Sequence, residues 1–300
     1  ILTGGTGNDT IDGGAGDDTI TTNTGVDVIT GGAGDDTVVM AAASLTTADT
    51  VAGGEGSDTL NFTSDIVFAT VATKLTNVSG FEKILLNNSI DLTLTDNAVA
   101  QLNGGAVSVT RANGNTEVIV LASAVNSSSA TITVDGSSNT GTGAMQYTIG
   151  LAKDVYTGTK NADTVTVTDN LMLAATDTFA GGAGADILQV NVNGGATAAA
   201  SVEMTMAQMI GVESFSIINI DDATTSNFFG ITLDDAFVQR NALSSALTIA
   251  ATDGGTVSDA SVTIDASAVT STAVLTINGG TKADTLKGGA GADEFLGLAG

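Results

Sequence analysis

Asp9, Asp18, Asp27 and Asp36 stand nine residues apart, and each closes a short glycine-bearing run. The runs read Gly4-Gly5-Thr6-Gly7-Asn8-Asp9, Gly13-Gly14-Ala15-Gly16-Asp17-Asp18, Thr22-Asn23-Thr24-Gly25-Val26-Asp27 and Gly31-Gly32-Ala33-Gly34-Asp35-Asp36. This is oxygen chemistry. Glycine enters backbone conformations closed to other residues, so six such positions can make a tight concave turn with inward carbonyl oxygens. An aspartate adds a carboxylate, and hard cations such as Ca²⁺ take about six to eight oxygens of these kinds. The candidate ligands are therefore Asp9, Asp18, Asp27 and Asp36, with the turn residues Gly5, Gly7, Gly14, Gly16, Gly32 and Gly34.

The same slot recurs at Asp58, Asp163, Asp186, Asp284 and Asp293. Three of these follow full glycine turns, which contribute Gly54 and Gly56, Gly182 and Gly184, and Gly289 and Gly291. The turns before Asp163 and Asp284 are degenerate and carry Lys160 and Lys282, whose ammonium groups would weaken a cation site. In the paired acids Asp17-Asp18 and Asp35-Asp36 the second member holds the ligand slot. The first reads as a solvated residue that adds negative field.

Elements must hold these turns in register. Behind each aspartate stands a short β-branched run whose middle residue is apolar: Ile11, Ile20, Ile29 and Val38. A short strand there would point that residue into a narrow core, and two nonapeptides would make one coil. Nonapeptide repeats of this form signal a parallel β-helix with bound Ca²⁺. Asp9 should then face Asp27 across one metal site, and Asp18 should face Asp36 across another. Gly31 and Gly53 are one coil plus a bulge apart, so Asp36 should face Asp58; Asp163 and Asp186 pair by the same argument. Stacked carboxylates repel without a cation, which couples folding to metal binding.

Composition agrees with a cation partner. The chain of 300 residues has a formal net charge of −25, and it contains no Pro, Cys, His or Trp. No Lys or Arg precedes Lys74. A nucleic-acid partner needs a basic surface, and anionic membranes do too. Hydrophobic content of 42% is too high for disorder. Without cysteine there is no disulfide framework, so metal is the available staple. No run approaches the length of a membrane span, and no signal peptide is visible. The first residue is Ile1, and the last residues, GLAG, resemble a new repeat, so the chain reads as a segment of a longer protein.

Internal similarity extends beyond the nonapeptides. Residues 31–61 are echoed by 158–189, LTLTDNAVAQ (92–101) by ITLDDAFVQR (231–240), and VIVLASAV (118–125) by VTIDASAV (262–269). The order of matches is preserved. The expected organisation is coils over 1–30, a module over 31–157, its diverged duplicate over 158–287, and a new repeat from 288 to 300. Short strands are expected at Leu92–Thr95, Ala106–Thr110, Glu117–Leu121, Thr131–Asp135, Thr164–Thr168, Ile187–Val192, Phe215–Ile220, Leu247–Ala250, Ser261–Asp265 and Ala273–Ile277. Short helices are expected at Asp96–Leu102, Val202–Ile210 and Asp234–Ala242, the last capped by Asp234 or Asp235. The fold class is all-β: a right-handed parallel β-roll or β-helix with further short-strand modules between the calcium turns.

Catalysis finds little support. Without His or Cys, a Ser-His-Asp triad, a Cys-His pair and an HExxH zinc site are all excluded in this segment. Paired carboxylates could cleave glycosides, but the acids are concentrated in the repeats, and aromatic content is 4%. Glu82 and Glu213 share a Gly-[Phe/Val]-Glu motif. They read as surface glutamates at a helix-to-strand turn; the alternative is an added metal ligand or a hydrogen bond between rungs.

The Gly-Gly-x-Gly-x-Asp nonapeptides resemble those of RTX proteins, which bacteria export by type I secretion. Their alternation with Thr/Ser/Ala/Val-rich β modules carrying Gly-[Phe/Val]-Glu and Ala-Ser-Ala-Val resembles crystalline surface-layer proteins of the Caulobacter kind. That resemblance implies a secreted structural protein at the bacterial cell surface that folds on several external Ca²⁺ ions and self-assembles into a lattice. A polysaccharide anchor would lie outside this segment. An RTX adhesin, an extracellular filament, or the repeat region of a secreted hydrolase or toxin are the alternatives.

Overall fold

A computed structural model describes residues 1–63, 74–87, 91–112, 114, 117–168, 176–192, 209–211, 214–219, 228–241, 246–253, 261–279 and 283–297. The chain divides into two compact units, Ile1–Lys160 and Asn161–Gly300.

In the first unit, strands stack as parallel rungs. One sheet takes every second strand: Leu2–Thr3, Thr19–Thr21, Thr37–Met40, Thr59–Phe62, Lys83–Leu86, Ala106–Arg111, Thr131–Asp135 and Lys153–Thr157. The intervening strands Thr10–Ala15, Val28–Ala33, Thr50–Glu55 and Val78–Ser79 form a second sheet. Farther along, Leu92–Thr95, Val118–Ala124 and Met145–Thr148 form a third. This is a parallel β-roll. Alternation of apolar and polar residues makes it possible, because successive side chains point to opposite faces of a strand. Register then stacks like on like: Leu2, Ile20, Val38, Leu60, Ile84, Val109, Val134 and Tyr156 form one inward row. From Ile20 onward every member of that row is buried. Ile11, in the terminal coil, is only half-buried, whereas Ile29 below it is fully buried.

The expected turn of six residues is shorter on one side of the roll. There the strand runs on through the glycines, so that Gly14 pairs with Gly32 and Gly32 with Gly54. Strand pairing of glycines succeeds because no side chain intervenes; a Cβ on Gly32 would collide with the Gly14 carbonyl.

The helix Asp96–Asn103 caps its own start with Thr95, whose hydroxyl accepts from Ala98 N–H at 3.3 Å. It ends on Gly104 at φ 57°, a left-handed position suited to glycine. It buries Ala98, Val99 and Leu102. Asp96 accepts from the backbone N–H of Asn126 (2.9 Å) and Ser127 (2.8 Å), fastening the end of the Ala-Ser-Ala-Val strand.

The second unit repeats these devices. Thr164–Val167, Ile187–Val192, Ser214–Asn219, Ala246–Asp253, Val274–Asn278 and Glu294–Leu296 pair in parallel. Phe228–Asp234, Ser261–Ala268 and Thr285–Lys287 form another parallel set. The helix Asp235–Asn241 follows a strand whose register shifts between Thr232 and Asp234, as the first unit's register shifts between Thr93 and Thr95. Asp235 lies in the first helical turn, but its carboxylate serves another segment: it accepts from Thr270 N–H (2.7 Å), Ser271 N–H (2.8 Å) and the Thr270 hydroxyl. The helix expected at Val202–Ile210 falls mostly outside the described residues. Its last two, Met209–Ile210, are a strand paired with Phe179–Ala180. Ile220 and Ala242 also lie outside them.

Candidate metal centre

Aspartates of successive coils form two vertical ladders in the first unit. On one side, Asp9 N–H donates to Asp27 Oδ1 (3.0 Å), and Asp27 N–H donates to Asp49 Oδ1 (2.8 Å). On the other, Asp18 N–H donates to Asp36 Oδ1 (2.8 Å), Asp36 N–H to Asp58 Oδ1 (2.8 Å) and Asp58 N–H to Glu82 Oε2 (2.7 Å). Among the described residues of the second unit, Asp163 N–H donates to Asp186 Oδ1 (2.8 Å) and Leu275 N–H to Asp293 Oδ1 (3.0 Å). The expected partners are neighbours, but the carboxylates are not opposed across a gap. Each puts one oxygen on the backbone of the coil before it. Each aspartate stands just before a strand, and where it is buried, as at Asp27, Asp36 and Asp58, its N–H must be satisfied.

The second carboxylate oxygen separates the positions. Asp9 Oδ2 accepts from Gly5 N–H and Asp293 Oδ2 from Gly289 N–H, each at 2.8 Å. Asp27 Oδ2 accepts the Thr22 hydroxyl, and Asp49 Oδ2 accepts Thr46 N–H (2.7 Å) and its hydroxyl (3.1 Å). Asp36 and Asp58 are 1% and 0% exposed, and their Oδ2 atoms are buried without a hydrogen-bond partner. A buried acceptor left bare costs about 1–3 kcal/mol, more when charged. Two of them on one ladder could hold a cation.

Glycine geometry frames that place. A Cβ on Gly31 would collide with the Gly53 carbonyl, and one on Gly53 would collide with the Gly80 carbonyl while standing 2.6 Å from Asp58 Oδ2. A carbonyl oxygen and a carboxylate oxygen thus converge over each glycine. Among the described residues no three acidic side chains gather at one point. The oxygen set is one of few carboxylates and several carbonyls, the hard-donor mixture that Ca²⁺ takes. Burial pushes the Asp58 carboxyl up from its ordinary value; its hydrogen bond from Asp36 N–H pulls it back, and the charges of Asp36, Glu82 and Asp35 add to the rise.

Two readings of single residues change. Asp17 and Asp35 are exposed but not idle: Asp17 Oδ1 accepts from Asp35 N–H (2.9 Å) and Asp35 Oδ1 from Ser57 N–H (2.8 Å). They form an outer ladder beside the inner one; on the opposite side of the roll Asn8 makes the same kind of bond, accepting from Val26 N–H (2.9 Å). Glu82 is not a plain surface residue; it is half-buried and takes the ladder position over Asp58. Glu213 lies outside the described residues. Lys160, which stands in a degenerate turn, sends its ammonium to the Thr140 carbonyl at 2.6 Å.

Residues 2–38, 46–62, 174–190 and 276–300 match the RTX calcium-binding nonapeptide repeat (4 copies). The chain carries RTX repeats. No curated protein and no solved structure matches it. RTX nonapeptide repeats bind multiple Ca²⁺ ions, so the bare oxygens of Asp36 and Asp58 lie in segments of calcium-binding type. Two of the matched segments reach farther than the glycine turns. They take in Asp49 and Asp177, both buried and neither expected from a Gly-Gly criterion. The signal was the tail of the repeat: Asp49-Thr50-Val51 and Asp177-Thr178-Phe179 copy Asp18-Thr19-Ile20.

Proposed function

We propose that this chain is a calcium-dependent structural segment of a secreted bacterial surface protein, with a surface layer as its assembly. The observation that carries the reading is the pair of buried, bare Oδ2 atoms of Asp36 and Asp58 within RTX coils. In the RTX coils Ca²⁺ would be held by Asp18, Asp36 and Asp58 with turn carbonyls such as those of Gly31 and Gly53, which lie beside these carboxylates. It supplies the positive charge that lets stacked carboxylates stay ionised in the roll. Where calcium is scarce, the charge of −25 disfavours compaction. Dissociation constants around 10⁻⁴–10⁻³ M are usual for extracellular modules. Such weak sites suit a chain that passes unfolded through a type I exporter and folds outside.

Two diverged modules support a structural role over a repeat tail on an enzyme. Each unit has its own helix after a register-shifted strand, and in each an aspartate (Asp96, Asp235) fastens the residues after Ala-Ser-Ala-Val. Repetition of a β module that holds no expected calcium turn suits a self-assembling layer. Electron microscopy of the full chain after calcium addition tests this: a two-dimensional lattice is expected. Fibres would favour a filament or adhesin, and dispersed monomers at every calcium concentration would contradict assembly by this segment.

A further inference from the structure

The first run of nonapeptides ends at Asp58, but the stacking of carboxylates continues one coil farther. The turn after it is Gly80-Phe81-Glu82, three residues with none of the Gly-Gly-x-Gly pattern. Its geometry nevertheless repeats that of the coil below. Lys83 pairs with Thr59 as Thr59 pairs with Thr37, so Glu82 stands over Asp58 as Asp58 stands over Asp36. The Gly80 carbonyl overlies Gly53 as the Gly53 carbonyl overlies Gly31.

We propose that Asp58, Glu82 and the Gly80 carbonyl form a further Ca²⁺ site, which closes the metal ladder on a turn that is not a nonapeptide. Asp58 Oδ2 is buried, without a partner, and directed to the space over Gly53 that the Gly80 carbonyl also lines. Glu82 spends Oε2 on Asp58 N–H, which leaves Oε1 for a cation. Two carboxylates with a carbonyl balance a divalent ion and make a hard-oxygen set.

Three features of the chain itself hold the turn in place. Gly80 adopts φ 68°, a left-handed conformation that favours glycine. Phe81 is fully buried beneath it. The C-terminal carbonyls of the helix Asp96–Asn103 accept from the turn, Gln101 from Gly80 N–H (3.4 Å) and Leu102 from Phe81 N–H (2.7 Å). The negative end of that helix adds to the field a cation would feel. The second unit uses the same device: Gly211 adopts φ 67°, and its carbonyl overlies Gly181 beside Asp186 Oδ2. The site joins the last calcium coil to the first helix of the non-calcium module, so an ion there couples the two.

This inference rests on the reading of the RTX coils as calcium sites, and the experiment separates the two. Calcium stoichiometry is measured on the full chain by isothermal titration for wild type, Glu82→Gln and Asp36→Asn. Glu82→Gln keeps an acceptor for Asp58 N–H and removes the charge. It is expected to bind one ion fewer than wild type, with the affinity of the remaining sites changed less than about twofold. The β signal in circular dichroism with calcium reports whether the variant folds. If it does not, Glu82→Asp keeps the charge but shortens the reach, and it is expected to weaken one site at least about tenfold. Unchanged stoichiometry and affinity in a folded Glu82 variant, with a loss in Asp36→Asn, would overturn the Glu82 site alone. A wild-type chain that takes up no calcium would overturn the proposed function as well.

Discussion

At the scale of single residues, the second oxygen of each ladder aspartate decides its role. Asp27 and Asp49 give theirs to threonine, and Asp36 and Asp58 keep theirs bare. Asp58→Asn should therefore act in opposite directions with and without metal. Without calcium it removes a buried charge, and denaturant unfolding should show a gain on the order of 1–3 kcal/mol. With calcium it should lose more than that gain, because a ligand is gone. The pH dependence has the same logic. The folded-state value of Asp58 is raised, so the metal-free fold holds its proton more tightly than the unfolded chain does. Its contribution to stability is lost as pH rises from the ordinary 3.8 through the raised folded value, and acidification restores it. A urea series between about pH 4 and 7 in decalcified buffer, on the part of the roll that stays folded there, should show that fall, and saturating calcium should abolish it. A metal-free fold that gains stability with pH across that range would contradict the assignment. Asp235 behaves oppositely: the hydroxyl of Thr270 and the backbone of Ser271 hold its carboxyl below the ordinary value, so its contribution is lost on acidification.

At the scale of elements, the roll depends on close approach of backbone in the turns. Gly53→Ala would drive a methyl into the Gly80 carbonyl, a backbone atom that cannot swing aside. A loss of roughly 1–3 kcal/mol is expected from such overpacking. Gly5→Ala meets nothing within 4 Å and should be silent. Thermal unfolding of the two variants in calcium checks the contrast; equal melting temperatures would mean the turns adjust. The helix lock is separable: Asp96→Ala should cost about 1 kcal/mol by removing two hydrogen bonds, while Asp96→Asn, which keeps an acceptor, should cost less. Much of this level was legible in the chain. Alternating apolar residues placed Leu92–Thr95, Thr131–Asp135 and Ile187–Val192 with their observed bounds. The short turns were not legible. Gly80-Phe81-Glu82 and Thr46-Thr47-Ala48-Asp49 carry no glycine pair; Asp49 is marked only by the Asp-Thr-Val tail of the repeat, and the place of Glu82 in the ladder follows only from the register of neighbouring strands. Glu82 and Asp49 looked ordinary for that reason.

At the scale of the whole molecule, two kinds of cation share the task of satisfying turn oxygens. In the RTX coils the chain supplies carboxylates and carbonyls and leaves the charge to Ca²⁺. Farther on it supplies its own: the buried Arg111 guanidinium donates to the carbonyls of Gly114 (3.2 Å), Gly143 (3.1 Å) and Ala144. In the same region Tyr147 and Tyr156 stack with ring centres 5.7 Å apart, and the Tyr147 hydroxyl bonds to buried Asp154. These are the chain's two tyrosines, and tryptophan is absent, so intrinsic emission reports on that coil alone. Tyrosine emission should therefore respond to EGTA less than the whole-chain β signal does. Equal loss of both would mean that folding is a single calcium-driven step. The central claim is that calcium completes the fold of the RTX coils, and circular dichroism of the full chain in EGTA, followed by calcium titration, tests it most directly. The β signal should rise strongly with a midpoint near 10⁻⁴–10⁻³ M, the range of extracellular calcium modules; no change up to about 10 mM would contradict the account.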